Sequence, residues 1–307
     1  MKYIYLHSIC ILFFLPIFLL SCQPKPRNSD AVQAAKPETI EPTWTQEEAE
    51  IKAAVDNVLI AAGNYDLEAL ENVIFENTNL GISSLNDGVW SNSVITIDDY
   101  FEGVKNRNPL PYNEIISDYD ILVSESKIAF VRGDAIVHRF GIPQTREINH
   151  FTLLKDDGIW KFLNISFTVN PITEEKKKFD LEIFARSYAQ AWCSKRPEFV
   201  ASYFAKDGSL QVNDGAAAEG TEEITKVAKG FMDAFPDIIV TMDSLAPIGD
   251  KTQFHWTLTG TNTGPNGTGN KVKISGFEEW TLDENQFIKE SKGNFDEEDY
   301  NKQLEGL

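Results

Sequence analysis

After Thr45 the chain runs twice through one plan, three helical stretches followed by four strand-like ones, with a repeat of about 125 residues. In the first copy Glu47, Glu48 and Glu50 open a helix in which Ile51, Val55, Val58, Leu59 and Ala62 recur at helical spacing until Gly63. Further helices are expected over residues 66–75 and 97–105. Residues 112–124, 127–140, 147–156 and 159–169 are rich in Ile, Val, Phe and Thr, and turn residues at 124–126, 141–143 and 156–158 divide them into strands. The second copy repeats the order, with helices over 180–194, 197–204 and 221–235 and strands over 237–245, 252–263, 271–283 and 286–296. A period this long signals tandem domains rather than a stack of small repeats. The expected fold class is α+β, with three helices and a curved antiparallel sheet in each of two domains, 45–169 and 180–307. Pro171 interrupts the segment between them, so 170–179 is read as a linker.

The chain has 307 residues, 42% of them apolar, enough for a separate core in each copy. Its formal net charge is −19, and its one basic run, Lys176-Lys177-Lys178, follows Glu174 and Glu175. Binding to nucleic acid needs clustered Lys and Arg and is therefore not expected. Of three cysteines only Cys193 lies within the repeats, so no internal disulfide is expected there; beside Trp192 on a helix it reads as a packed residue rather than a nucleophile. His138, His150 and His255 have no ligand spacing among them, so no metal is expected. The loop 262–270 holds Gly264, Gly267 and Gly269 but lacks the Gly-Lys-Ser/Thr ending of a phosphate loop, and no cofactor is expected.

Ahead of the repeats, Lys2 is followed by an almost uncharged apolar run, residues 3–20, that stops on Ser21-Cys22. The ending Leu19-Leu20-Ser21-Cys22 resembles the lipobox of bacterial lipoproteins. That resemblance implies a signal peptide over 1–21, lipid on Cys22, and a place in the cell envelope, at the outer membrane facing the periplasm. Pro24, Pro26, Pro37 and Pro42 stand in an otherwise polar stretch, so 22–44 is read as a flexible tether.

In the second copy, Phe254-His255-Trp256-Thr257-Leu258-Thr259-Gly260, then Gly276-Phe277-Glu278-Glu279-Trp280 and the ending Phe295-Asp296 with Gln303-Leu304, resemble the SnoaL-like polyketide-cyclase family of the nuclear transport factor 2-like superfamily. The first copy resembles the same superfamily more loosely, through its helix order and the hairpin of Phe151-Thr152-Leu153-Leu154 with Ile159-Trp160-Lys161-Phe162. The resemblance implies a cone-shaped α+β barrel with an apolar pocket at one end, and frequent pairing through the sheet, as a dimer or as an intramolecular pseudo-dimer. It also implies an Asp at the end of the last strand as general acid/base, a position that Asp296 holds, and an aromatic pocket wall for which Tyr188, Trp192, Phe231, Trp256 and Trp280 are available.

Asp296 also stands directly before Glu297-Glu298-Asp299, where it would cap a terminal helix, and a capping carboxylate is a poor base. His255 alternates with Phe254 and Trp256 and so points away from any wall they form, which leaves it a weak candidate for a donor role. The first copy ends its last strand in Ser166-Phe167-Thr168-Val169, without a carboxylate, and is read as a binding or structural partner. The expected function is binding of a small apolar ligand or a partner protein without catalysis. The alternative is a cyclase- or isomerase-type enzyme that uses Asp296 in the second domain.

Overall fold

In a computed structural model, residues 43–106 and 109–307 are described. The signal peptide expected over 1–21, Cys22 and nearly all of the expected tether lie outside the described residues. The first half opens with α1 (Gln46–Gly63) and α2 (Leu67–Val73). Thr45 caps α1: its hydroxyl accepts from the Glu48 N–H, while the Glu48 carboxylate accepts from the Thr45 N–H at 2.8 Å. The strands β1 (Ile74–Asn86) and β2 (Val89–Thr96) come next, followed by α3 (Ile97–Lys105). The meander β3 (Asn113–Ser124), β4 (Ile128–Arg139), β5 (Ile142–Asp156) and β6 (Ile159–Pro171) completes the half.

The second half repeats this order with α4 (Leu181–Trp192), α5 (Pro197–Ala201), β7 (Phe204–Val212), β8 (Ala218–Glu219) and α6 (Gly220–Ala234). Then come β9 (Ile239–Ile248), β10 (Lys251–Thr261), β11 (Lys271–Leu282), β12 (Ile288–Phe295) and α7 (Glu297–Glu305). The two sheets share one topology, β2-β1-β6-β5-β4-β3 and β8-β7-β12-β11-β10-β9. Each half is an α+β cone with its own core.

The expectation of antiparallel sheets of four strands needs correction. Each sheet has six strands and is mixed, because β1 runs parallel to β6 and β7 parallel to β12. The chain closes each sheet by bringing its earliest strand against its last, and the intervening helices supply the crossover that parallel pairing needs. The expected second helices are also shorter than predicted, since Ile74 and Phe204 already belong to strands.

Different side chains fill the two cones. In the first, α1 turns Ile51, Val55, Val58 and Leu59 inward onto Ala129, Val131 and Leu153. In the second, α4 turns Phe184, Tyr188 and Trp192 onto Phe254 and Trp280, which stack at 4.6 Å. Aromatic residues therefore occupy volume in the second cone that aliphatic ones leave unfilled in the first.

The halves meet at the β4–β5 turn and also where Tyr65 packs edge-on against Phe199 at 6.3 Å and Asn113 Nδ2 donates to Gln190 Oε1 at 2.6 Å. Phe140 and Gly141 both have positive φ, 50° and 73°, the backbone of a two-residue hairpin turn. Phe140 leaves its own sheet and packs edge-on against Tyr203 and Phe287 of the second half, at 5.0 and 5.4 Å. Gly141 accepts the Asp180 N–H at 2.9 Å, and a Cβ there would come within 2.6 Å of the Asp180 carbonyl oxygen.

Candidate functional site

The larger of the two cone pockets lies in the first half, where a cavity of about 300 Å³ is bounded by α1, α3 and the inner face of the sheet. Its apolar wall includes Val58, Leu59, Leu80, Ile97, Phe151 and Phe167. Its polar lining is Glu114 on β3, Glu147 and Asn149 on β5, and the tyrosines 65, 100 and 112, with Arg139 on β4 at the exposed rim. Strand alternation puts Glu147, Asn149, Phe151 and Leu153 on one face, so the carboxyl and the amide enter the same space as the apolar core.

Hydrogen bonds fix these groups. Asn149 Nδ2 donates to Glu114 Oε1 at 2.6 Å, and Thr145 Oγ1 donates to Glu147 Oε1 at 2.8 Å. Burial, and next the charge of Glu147, push the Glu114 carboxyl up from its ordinary 4.5 to about 7, against the opposing pull of the Asn149 hydrogen bond. Burial also raises Glu147. Burial moves Tyr100 up to about 12 and Tyr112 well above its usual range, so both phenols stay neutral near pH 7. Glu114 thus exchanges a proton near neutrality inside a cavity, where ionised carboxylates are poorly solvated.

The second cone keeps a smaller pocket of about 50 Å³. Trp192, Phe231 and Trp256 line it, as the sequence suggested, together with Leu210 and Phe295. Tyr188 and Trp280 do not line it: both are fully buried, and both donate to Glu278, a carboxyl in its lining. Glu278 accepts from Tyr188 Oη at 3.1 Å, Trp280 Nε1 at 2.9 Å and Ser291 Oγ at 2.7 Å. Burial raises its affinity for a proton, and the three donors oppose that shift.

Asp296 is exposed and lies outside the pocket lining. Its side chain accepts the Asp299 N–H at 2.9 Å and caps α7, the role its sequence context favoured. His255 lies on the face of β10 opposite Phe254 and Trp256, beside the Phe277 ring at 5.8 Å, and stays out of the pocket. Cys193 is partly buried; its Sγ accepts the Val240 N–H at 3.2 Å, and burial raises its thiol. The carboxyls that do enter the cones, Glu114, Glu147 and Glu278, were not among the sequence candidates. The first half, expected to offer less, holds the roomier and more polar site.

The two sites correspond in position. Ile74 pairs with Phe162 and that with Leu153, while Phe204 pairs with Ile288 and that with Leu282. Four residues before Leu153 is Asn149, and four before Leu282 is Glu278. The same place on the fifth strand of each sheet therefore carries the polar group.

Residues 182–304 match the model of the SnoaL-like polyketide cyclase family. Over these residues the second domain is similar to that family. Solved structures that the chain resembles include a protein with a ketosteroid isomerase-like fold from Catenulispora acidiphila, solved with trimethylamine, at 20% identity. That match covers 39% of this chain and 89% of the other, with a TM-score of 0.35. A Jannaschia protein described as a SnoaL-like polyketide cyclase shares 17% identity over 41% of this chain and 92% of its own, with a TM-score of 0.36. A nuclear transport factor 2-like protein from Silicibacter pomeroyi shares 18% identity over 40% of this chain and 94% of its own, with a TM-score of 0.31. No curated protein matches the chain. A SnoaL-like fold supports a ligand-binding or cyclase-type function.

Proposed function

We propose that this is a small-molecule-binding protein of the cell envelope, held at a membrane by lipid on Cys22, whose ligand occupies the first cone. The observation that carries this reading is the cavity of about 300 Å³ lined by Glu114, Glu147, Asn149 and three tyrosines. Its size and its mix of apolar wall with a few convergent polar groups are those of a ligand site. The second cone, narrowed to about 50 Å³ by aromatic side chains, serves as a structural support for the first. The Phe140 contact with Tyr203 supports this, because it ties the cavity-bearing sheet to the aromatic core of the second half.

One observation favours a second reading as an isomerase- or cyclase-type enzyme. A carboxyl that exchanges its proton near pH 7 beside a second carboxyl is suited to general acid/base work, and Glu114 is such a group. The exposed cap Asp296 has less support for that role.

The test is native mass spectrometry of the chain taken from its own membrane without a denaturing step, beside a variant that fills the cavity, Val137→Trp, changed at a β4 residue of the cavity wall. The binding reading expects an added small-molecule mass on the wild type that the variant lacks. An empty wild type, or a mass that the filled variant retains, overturns it. Release of labelled glycerolipid with Cys22, and its absence in Cys22→Ser, tests the anchor.

A further inference from the structure

The chemistry of the first cone's lining narrows its ligand. Among the described residues, two carboxyls enter this space beside Asn149 and three tyrosines with no basic side chain between them, since Arg139 stands at the exposed rim. The influences on Glu114 are burial, Glu147 and Asn149. Near neutral pH the empty cavity either keeps a proton on the pair or holds poorly solvated negative charge. An anionic ligand would add to that charge, and a purely apolar one would desolvate it further. A cation would neutralise it. The remaining walls suit a cation with a hydrocarbon body: the rings of Tyr65 and Tyr112 lie edge to face at 5.7 Å, Tyr100 lines the same space, and Val58, Leu59 and Ile97 bound the apolar side. Aromatic faces attract ammonium groups, and most strongly where water is excluded.

We propose that the first cone binds an organic ammonium ion, its charged head beside Glu114 and Glu147 and among the tyrosines, its hydrocarbon part against α1 and α3. This inference rests on the reading of that cavity as the binding site. The groups that face Glu114 are Glu147 and Asn149 from β5, Tyr119 from β3, Tyr100 from α3, Tyr65 and Tyr112 from the connecting segments, and Arg139 at the rim. Burial moves Glu114 to about 7 and raises Glu147 beside it, so a permanently charged ligand should bind more tightly as pH rises through that value.

The probe pair is choline and its neutral isostere 3,3-dimethyl-1-butanol, titrated calorimetrically into the full chain in detergent. The expected result is at least about tenfold tighter binding of choline at pH 8, a preference that shrinks toward pH 5.5. In Glu114→Gln/Glu147→Gln the preference should fall to about twofold or less. Should that double variant fail to fold, the pH dependence in the wild type decides alone. Equal binding of the two probes to the wild type, displaced by Val137→Trp, would overturn the ammonium ligand and leave the cavity as a binding site. Absence of choline binding would overturn the ammonium ligand too, and the native-mass comparison would judge the cavity independently.

Discussion

Asn149 Nδ2 reaches Glu114 Oε1 at 2.6 Å, a hydrogen bond that passes over β4 and links the β5 and β3 strands on the inner face of the first sheet. It holds the Glu114 carboxyl in place and pulls its proton affinity down, yet burial and Glu147 outweigh it. A space that could have been closed by an apolar side chain instead contains a proton-exchanging group.

That balance sets the pH dependence of stability. Glu114 has an ordinary value of 4.5 and a folded value of about 7, so between the two the folded state binds more protons than the unfolded. Stability is therefore lost as pH rises through this window. Glu114→Gln removes the effect. The variant should match the wild type near pH 4.5 and exceed it by on the order of 1–3 kcal/mol near pH 8, measured by urea unfolding without ligand. A variant less stable than the wild type at pH 8 would contradict the direction.

In the second cone, Glu278 is the common acceptor of Tyr188, Trp280 and Ser291. Glu278→Leu leaves three buried donors without their partner, at a cost on the order of 3–5 kcal/mol. Glu278→Gln should cost less, because it keeps one acceptor oxygen. Chemical denaturation ranks the two, and equal stability of Glu278→Leu and wild type would refute the network.

Much of the architecture was legible in the sequence, and the exceptions share causes. The strands 113–124, 128–139, 251–261 and 271–282 are long, rich in β-branched and aromatic residues, and bounded by turns. By contrast β1 contains Asn77, Thr78, Asn79, Ser83 and Ser84, and it becomes a strand by pairing with residues of β6 that lie 85 or more positions later. The resemblance offered Tyr188, Trp192, Phe231, Trp256 and Trp280 for an aromatic wall, and of these Trp192, Phe231 and Trp256 line the second cone's pocket. Glu278 was hidden by its neighbour Glu279, since two adjacent acids suggest a solvated strand, although alternation with Trp280 was the signal that it faces inward. Glu147, in alternation with Phe151 and Leu153, carried the same signal. The openness of the first cone depends on which volumes meet across α1 and the sheet, which no local pattern encodes.

Asp296 offers a clean separation of roles. As the cap of α7, Asp296→Asn should keep the helix, while Asp296→Ala should lose about 1 kcal/mol of stability. Neither change should alter ligand binding, as judged by the native-mass comparison. A lost ligand in a stable Asp296→Asn protein would return that carboxylate to the site.

One joint between the halves is Phe140, seated against Tyr203 and Phe287. Phe140→Ala should weaken it by on the order of 2 kcal/mol. Scanning calorimetry should then resolve two unfolding transitions where the wild type shows one. A single unshifted transition would mean that the contact does not couple the halves.

The first cone, rather than the second, is the proposed binding site. A crystal structure of the chain purified from its own membrane without denaturation would show which cone holds a ligand. Non-protein density is expected between Glu114, Glu147 and the tyrosines, with side chains filling the second cone. A ligand in the second cone beside Glu278, with only water in the first, would contradict it.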